Sequence, residues 1–311
     1  MKKNGGKLYL AVVLVAIVLV AWQLINTKLI FHPAKYKTIA FFPPVTTPIM
    51  KTAFPEEALS IKTEFEKTLT ARSYLVIDLE SQAILLEKNT TQRLSPASTT
   101  KLMTALTALN QYDLNEVVTV SRGVALENNG GGLFPNERLT VRDLLISLLV
   151  SSANDSAFAL AEHHPLGQEQ FVQLMNEQAK NLHLNDTFFG NPAGFDEPIN
   201  LTTARDLWLI SWEAFQKPML LEWLGLESAM VHNVEGNVRH VLFTTNGLLG
   251  RDPRILAGKT GTTELAHEVL VSLVDYQGHL LLLVVMGSDD RYADTQAILN
   301  WLAGNLSWES F

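Results

Sequence analysis

The sequence of 311 residues contains no cysteine, and its 24 Lys and Arg are outnumbered by 32 Asp and Glu, for a formal net charge of -8. The missing thiols exclude a disulfide scaffold, a thiolate metal site and a cysteine nucleophile. The negative charge argues against a nucleic-acid partner, which would need a basic surface. The redox compartment stays open, because a chain without cysteine suits the cytoplasm and the bacterial exterior equally well.

Charged residues are also absent from one continuous stretch near the N-terminus, between Leu8 and Ile25. Roughly 18 apolar residues approach the length at which a helix crosses the hydrocarbon layer of a bilayer. Three lysines precede the run, Trp22 lies where an interfacial aromatic residue is expected, and no A-x-A-like cleavage site follows. The pattern predicts a signal anchor, a single transmembrane helix within residues 1–28, with a cleaved signal peptide as the alternative.

The rest of the sequence divides into three further segments. Residues 29–70 are rich in proline near their middle and show no apolar periodicity, which predicts an extracytoplasmic tether. Regular apolar patterns begin at Ala71 and continue almost to the C-terminus. They predict a folded domain over residues 71–304, followed by a short tail at 305–311.

Strand patterns lie at both ends of this domain, and helical patterns lie between them. Residues 72–80 and 82–89 are typical of a hairpin, and residues 268–287 of two long strands around a D-Y-Q-G turn. Because the strands are linked by hairpins, we expect a largely antiparallel sheet flanked by helices. The sequence therefore predicts an α+β fold with an inserted helical block, closed by a helix at 293–303.

Three short polar motifs follow one another in the domain, and each pattern occurs once. They are S-T-T-K at 98–101, S-A-N at 152–154 and K-T-G at 259–261. The first starts an apolar helical pattern, the second lies at a junction of two helical patterns, and the third is predicted to open a strand. Each motif alone is ordinary capping or strand-edge chemistry. Their occurrence together, in this order, indicates a reaction centre.

The first motif supplies a candidate nucleophile and a candidate base. A serine hydroxyl attacks only when a base takes its proton, and the helical spacing puts Lys101 on the same face as Ser98. A free lysine titrates at about 10.4, so burial and the like charge of Lys259 are needed to lower the pKa of Lys101. The backbone N–H of Ser98, paired with one from the strand at 259–262, is expected to form an oxyanion hole.

The second and third motifs offer polar groups to a substrate. Ser152 can relay a proton towards a leaving amine, and Asn154 can hold a substrate amide. The strand that starts at Lys259 offers a cation and hydroxyl groups to a terminal carboxylate. Together with Ser98 and Lys101, these groups predict acyl transfer through a covalent serine intermediate. The residues expected to bind substrate are Asn154, Lys259, Thr260, Gly261 and Thr262.

From about residue 71 to residue 303 the chain resembles the serine-type D-alanyl-D-alanine carboxypeptidases, which are low-molecular-mass penicillin-binding proteins. The motif set S-x-x-K, S-x-N and K-T-G is the signature of these proteins and of the related β-lactamases. The match extends through the segments around the first two motifs, 93–109 and 139–162. The stretch at 171–196 is typical of the carboxypeptidases rather than of β-lactamases. The resemblance implies the β-lactamase/transpeptidase-like fold.

The resemblance also implies an activity, a location and a role for each site residue. Such enzymes remove the terminal D-alanine from peptidoglycan stem peptides at the outer face of the bacterial cytoplasmic membrane, in cell-wall synthesis and cell shape. They are acylated by β-lactams, which mimic D-Ala-D-Ala, and they need no metal or organic cofactor. By position, Ser98 is the acyl-ester nucleophile, Lys101 the proton acceptor, Ser152 a further catalytic residue, and Lys259 the ligand of the substrate carboxylate.

The sequence departs from the family pattern at two positions. His267 stands where members commonly have glycine, and Thr262 occupies a variable position that lines the site. Many members also carry a second, β-rich domain and a C-terminal membrane anchor, whereas this chain is expected to contact the lipid bilayer through its N-terminal run. Substrate preference, the third residue of the stem peptide and the oligomeric state stay open.

Alternative functions use the same residues. A D,D-endopeptidase would cut peptidoglycan cross-links, and a non-catalytic β-lactam sensor or wall-binding scaffold would use the domain as a receptor. A sensor should carry a signalling domain or several membrane spans, and the sequence has one apolar run of that length. A β-lactamase is disfavoured, because no E-x-x-L-N element lies between Asn154 and Lys259 to position a deacylating water.

Overall fold

The computed structural model describes residues 64–127 and 132–305. The predicted membrane anchor lies outside the described residues, as do most of the predicted tether and of the tail. Within the two described ranges, no helix combines the length and the apolar character needed to cross a membrane. The architecture below is therefore that of the predicted folded domain.

Strands lie near both ends of this domain and helices dominate its middle, as the sequence predicts. The strands are β1 (Ser73–Asp78), β2 (Ile84–Lys88), β3 (Val117–Thr119), β4 (Arg138–Thr140), β5 (Ser228–His232), β6 (Arg239–Phe243), β7 (Ile255–Thr263), β8 (His267–Tyr276) and β9 (His279–Ser288). The helices are α1 (Lys101–Gln111), α2 (Arg122–Glu127), α3 (Val141–Val150), α4 (Asn154–Glu162), α5 (Gly167–Asn181), α6 (Ala204–Phe215), α7 (Pro218–Leu224) and α8 (Arg291–Asn305).

The main sheet has five strands in the order β2-β1-β9-β8-β7, and all neighbours are antiparallel. Both predicted hairpins are confirmed. In the turn between β8 and β9, Gln277 and Gly278 have φ angles of 54° and 89°, the pair of positive values that a tight two-residue hairpin requires. The strand β7 forms one edge of the sheet, and this edge carries the third motif.

Helices cover both faces of the sheet, which explains why every residue of β1 is buried. On one face, Tyr74 and Val76 belong to an apolar cluster with Ile298 and Leu302 of α8. The other face of β1 contacts α6. Burying each aliphatic side chain of this kind contributes roughly 1.5–3 kcal/mol. The predicted α+β layering is confirmed.

Threonines cap two of the helices in the block between the strands. The side chain of Thr140 accepts a hydrogen bond from the Asp143 N–H at the start of α3, and that of Thr203 accepts one from the Asp206 N–H at the start of α6. Each cap satisfies an N–H that has no partner within its helix and contributes about 1 kcal/mol. The sequence predicts the second cap, because the threonine pair at 202–203 stands directly before an apolar helical pattern.

Three details differ from the sequence prediction. The expected α-helix from Ser98 begins as a 3-10 turn over Ala97–Thr100, and α1 starts at Lys101. The third motif lies in the middle of its strand rather than at the start, because residues from Ile255 onward already pair with β8. The two small sheets, β3 with β4 and β5 with β6, are absent from the prediction.

Candidate active site

The first motif forms a tight turn that leads directly into α1. Ser98 lies in the 3-10 turn, and Lys101 is the first residue of the helix. The two side chains converge, with Lys101 Nζ 2.8 Å from Ser98 Oγ. The predicted placement of both groups on one face is therefore confirmed.

The Lys101 amine is fully buried and lies against three oxygen atoms. Its Nζ atom is 2.8 Å from Asn154 Oδ1, 2.7 Å from the Ala193 carbonyl oxygen and 2.8 Å from Ser98 Oγ. The amide oxygen and the carbonyl oxygen can only accept hydrogen bonds. A neutral amine has two hydrogens, and donating both to these acceptors leaves its lone pair for the Ser98 hydroxyl. This is the geometry that proton removal from Ser98 requires.

The surroundings of Lys101 favour this neutral form. Burial lowers its pKa well below the usual range of an amine, and the nearby positive charge of Lys259 lowers the pKa further. The carboxylate of Asp155 acts in the opposite direction and has the smallest of the three effects. Burial and the charge of Lys259 are also the two causes that the sequence predicts.

The second motif lies where α3 ends and α4 begins. Ser152 has a φ angle of 60°, a left-handed conformation that costs a residue other than glycine about 1–3 kcal/mol. Its Oγ accepts a hydrogen bond of 2.7 Å from Lys259 Nζ. Asn154, the first residue of α4, accepts from Lys101. The motif therefore touches the lysines of both other motifs.

The third motif lies on the β7 edge, with Lys259 almost fully buried. Burial lowers the pKa of Lys259 from 10.5 to about 7, and the Arg291 guanidinium adds to this effect. A second hydrogen bond runs from Lys259 Nζ to the Thr260 carbonyl oxygen at 2.9 Å. At neutral pH this amine can therefore both hold and release a proton.

Gly261 brings the β7 edge against the nucleophile turn. A methyl group at this position would lie 2.9 Å from Ala97 Cβ and 3.0 Å from the Ser98 backbone nitrogen. The first distance is shorter than real Cβ contacts and the second is tighter than most of them, so a side chain at this position would push the nucleophile turn away from β7. The Ser98 N–H thus lies beside β7, where the sequence predicts the oxyanion hole. The structure brings together Ser98, Lys101, Ser152, Asn154, Lys259, Thr260, Gly261 and Thr262.

Comparison with known proteins decides the family. Residues 60–290 match the model of the D-alanyl-D-alanine carboxypeptidases known as peptidase family S11. The chain belongs to this carboxypeptidase family. The resemblance inferred from the three motifs is confirmed.

Relatives in the family include carboxypeptidases and endopeptidases. The D-alanyl-D-alanine carboxypeptidase DacB2 of Mycobacterium tuberculosis is 33% identical over 219 residues, which are 70% of this chain and 74% of that protein. A D-alanyl-D-alanine endopeptidase of Pseudomonas aeruginosa is 29% identical over 265 residues, covering 83% of this chain and 84% of that protein. The chain spans only 61% and 62% of the length of two further carboxypeptidase relatives.

Solved structures confirm the fold expected for the family. The DD-transpeptidase of Streptomyces K15 superposes with a TM-score of 0.71 at 27% identity, over 76% of this chain and 98% of that chain. The domain therefore has the mixed α/β fold of penicillin-binding proteins. Within the described ranges, no group of three or more His, Cys, Asp or Glu is placed to hold a metal ion.

Arg291 is a site residue that the sequence analysis misses. It is the first residue of α8, and its Nη1 donates to the Gly261 carbonyl oxygen at 2.7 Å and to Thr262 Oγ1 at 2.6 Å. The guanidinium group thus adds a positive charge beside the third motif. An arginine at the start of the last helix belongs to no local pattern that marks a site. Only the fold reveals its position.

His267 has a backbone conformation that favours glycine, the residue that the resemblance leads us to expect at this position. It opens β8 with a φ angle of 55°, in the left-handed region that glycine adopts without strain. Its ring nitrogens lie 2.8 Å from Arg72 Nη2 and 3.2 Å from Asp289 Oδ1. These contacts hold the ring beside two charged groups at the end of the β7–β8 hairpin.

Proposed function

We propose that the protein is a serine D,D-carboxypeptidase that removes the terminal D-alanine from peptidoglycan stem peptides through an acyl-enzyme. The observation that carries this proposal is the buried Lys101 amine, 2.8 Å from Ser98 Oγ, in a chain of this family. Since the chain is shorter than several of its relatives, the proposal concerns the domain that it shares with them.

In the acylation step, Ser98 Oγ attacks the carbonyl carbon of the penultimate D-alanine. The Lys101 lone pair takes the hydroxyl proton as the new C–O bond forms. The carbonyl oxygen becomes an oxyanion that the Ser98 N–H and an N–H of the β7 edge stabilise. Asn154, held by its contact with Lys101, binds the preceding amide of the stem peptide.

Departure of D-alanine requires a proton on its amine nitrogen. Lys259, with a pKa of about 7, is 2.7 Å from Ser152 Oγ and can pass a proton through this hydroxyl. A donor whose pKa is close to the working pH transfers a proton most efficiently. The C–N bond then breaks, and the proton that Lys101 took from Ser98 replaces the one that Lys259 gave up, so both amines regain their starting states. Water then attacks the ester carbonyl and gives a proton to the neutral Lys101 amine. The ester C–O bond breaks, and Ser98 Oγ takes this proton back.

The free carboxylate of the substrate requires positive charge and hydroxyl groups. Thr260 and Thr262 offer hydroxyls along β7, and Arg291 places its guanidinium against Thr262. We assign the carboxylate to these three side chains, with the charge of Lys259 behind them. A β-lactam carries a carboxylate and a strained amide in a similar arrangement, so it acylates Ser98 by the same steps.

The location of the enzyme is also a proposal. The apolar run within residues 1–28 supports a single-pass anchor in the cytoplasmic membrane, followed by a tether that reaches residue 70. The folded domain over 71–304 then lies on the extracytoplasmic face, where its polymeric substrate is found. The acidic surface that the net charge of -8 indicates is consistent with work on the wall rather than on nucleic acid.

Digestion of purified muropeptides tests the reaction. With a pentapeptide monomer and a cross-linked dimer as substrates, we expect free D-alanine from the monomer and a tetrapeptide as the second product, measured by mass spectrometry. Monomers released from the dimer, with the pentapeptide left intact, would identify an endopeptidase instead. If neither substrate changed while a fluorescent penicillin still bound covalently, the domain would be a receptor and the proposal would be wrong.

A further inference from the structure

A buried carboxylate holds the second motif from behind. Asp155 is the second residue of α4 and is only 2% exposed. Its Oδ1 accepts from the Ser156 N–H at 2.7 Å, and its Oδ2 accepts from the Leu133 N–H at 3.0 Å. The second bond ties the beginning of α4 to the loop at 132–137. Both bonds go to backbone N–H groups, so Asp155 holds the backbone that carries the second motif.

The same loop is tied to the hairpin of β5 and β6. Glu137 is 6% exposed; its Oε2 accepts from the Phe134 N–H at 2.9 Å, and its Oε1 lies 2.7 Å from His240 Nε2. A carboxylate oxygen accepts this bond, so the His240 ring donates it. His240 belongs to β6 and is itself 9% exposed. Both members of this pair are therefore shielded from water.

The strand β6 leads back to the third motif. Two residues after its end, Thr245 Oγ1 is 2.5 Å from Thr260 Oγ1. The neighbouring residue of Thr260 on β7 also reaches the second motif, because Lys259 Nζ donates to Ser152 Oγ. The second and third motifs are thus connected in two ways. The direct connection is the hydrogen bond between Lys259 and Ser152. The indirect connection runs through Asp155, the loop at 132–137, Glu137 and His240 to the strand β6.

We propose that Asp155, Glu137 and His240 form a buried polar strap that positions Ser152 and Asn154 against the β7 strand during acyl transfer. All three act as positioning residues, since none is among the groups that we place on the substrate. The inference rests on the proposed function. The left-handed backbone of Ser152 supports it, because such a conformation persists only where the surrounding contacts over-determine it.

The strap also carries a charge that acts on the base. Lys101 faces the ammonium of Lys259 from β7 and the carboxylate of Asp155 from α4, and Arg291 of α8 faces Lys259 in turn. The negative charge of Asp155 favours the protonated form of Lys101. Its removal should therefore lower the pKa of Lys101 and make the neutral amine available at lower pH.

The first test is the pH dependence of acylation by a β-lactam in Asp155→Asn. We expect the maximal acylation rate to fall about 10-fold, because Ser152 and Asn154 lose their anchor. We also expect the acid limb of the profile to move to lower pH, because the Asp155 carboxylate favours the protonated form of Lys101. Asp206→Asn is the matched control: Asp206 is 6% exposed, accepts from the Asp186 N–H and lies in the first turn of α6.

Asp206→Asn should lose thermal stability, but the acid limb of its pH profile should lie at the same pH as in the unsubstituted protein. An unchanged acylation rate and an unshifted acid limb in Asp155→Asn would overturn the proposed strap. The proposed function would not be affected by this result, provided that the unsubstituted protein is acylated. Equal limb shifts in both Asp variants would also overturn it, since a general loss of packing would then be the cause.

A second pair of variants does not depend on the folding of Asp155→Asn. His240→Leu removes the donor to Glu137, whereas His240→Gln keeps an N–H donor in a side chain of similar length. We expect slower acylation in the leucine variant, because Glu137 Oε1 loses its donor while Oε2 keeps the Phe134 N–H. The glutamine variant should recover to within about 2-fold of the unsubstituted rate, since it restores a donor to this buried oxygen. Equal rates in both variants would contradict the proposal.

Discussion

Replacing Ser98 by alanine should abolish both covalent labelling by a fluorescent penicillin and release of D-alanine from a pentapeptide. The substitution removes the only atom that forms the ester bond in the proposed mechanism. Stability should change little, by about 1 kcal/mol or less, because Lys101 keeps two oxygen acceptors and the lost hydrogen bond is a single partly buried one. Gel fluorescence and a thermal unfolding curve measure the two effects.

Ser95→Ala is the matched control for this variant. Ser95 lies in the same segment and is 7% exposed, but its Oγ pairs with Asp196 Oδ1 at 3.2 Å and not with a lysine. We expect it to label like the unsubstituted protein. Continued labelling of Ser98→Ala would mean that another residue is the nucleophile.

Replacing Lys101 by methionine should slow acylation by about 10²–10⁴-fold, the usual contribution of a positioned general base. Methionine fills a similar volume but has no lone pair of comparable basicity, so the Ser98 proton has no acceptor. The Ala193 carbonyl and the Asn154 amide oxygen also lose their donor, which should cost a few kcal/mol of stability. Stopped-flow acylation by a β-lactam measures the rate, and circular dichroism confirms the fold.

Lys88→Met separates the loss of the base from the loss of a lysine. Lys88 Nζ also donates to a backbone carbonyl, that of Ala71 at 3.1 Å, but it lies on β2 at the far edge of the sheet. Its substitution should leave the acylation rate unchanged. An acylation rate in Lys101→Met within a few-fold of the unsubstituted rate would remove Lys101 from the role of base.

Local patterns predict those parts of the fold that local physics decides. The D-Y-Q-G turn predicts the hairpin of β8 and β9, and the threonine pair before α6 predicts its cap, because a turn and a cap each depend on a few neighbouring residues. The convergence of Ser98 and Lys101 follows in the same way from their spacing. These features are confirmed without knowledge of the remaining chain.

Other features depend on contacts between distant segments. The strands β3 and β4 have three residues each, too few for a periodic pattern. The early start of β7 depends on pairing with β8, and the place of Arg291 depends on where α8 begins against β7. Asp155 follows the second motif directly in the sequence, yet only the fold shows that it binds the loop at 132–137. No local signal carries this information.

The central claim is that Ser98 carries the acyl group, and peptide mapping after penicillin treatment tests it most directly. Trypsin cleaves after Arg93 and Lys101, so one peptide, residues 94–101, holds both Ser95 and Ser98. The account predicts a single penicilloyl adduct in this peptide, with fragment ions that place the added mass on Ser98. An adduct on Ser95 or Ser152, or a protein whose mass does not change, would contradict it.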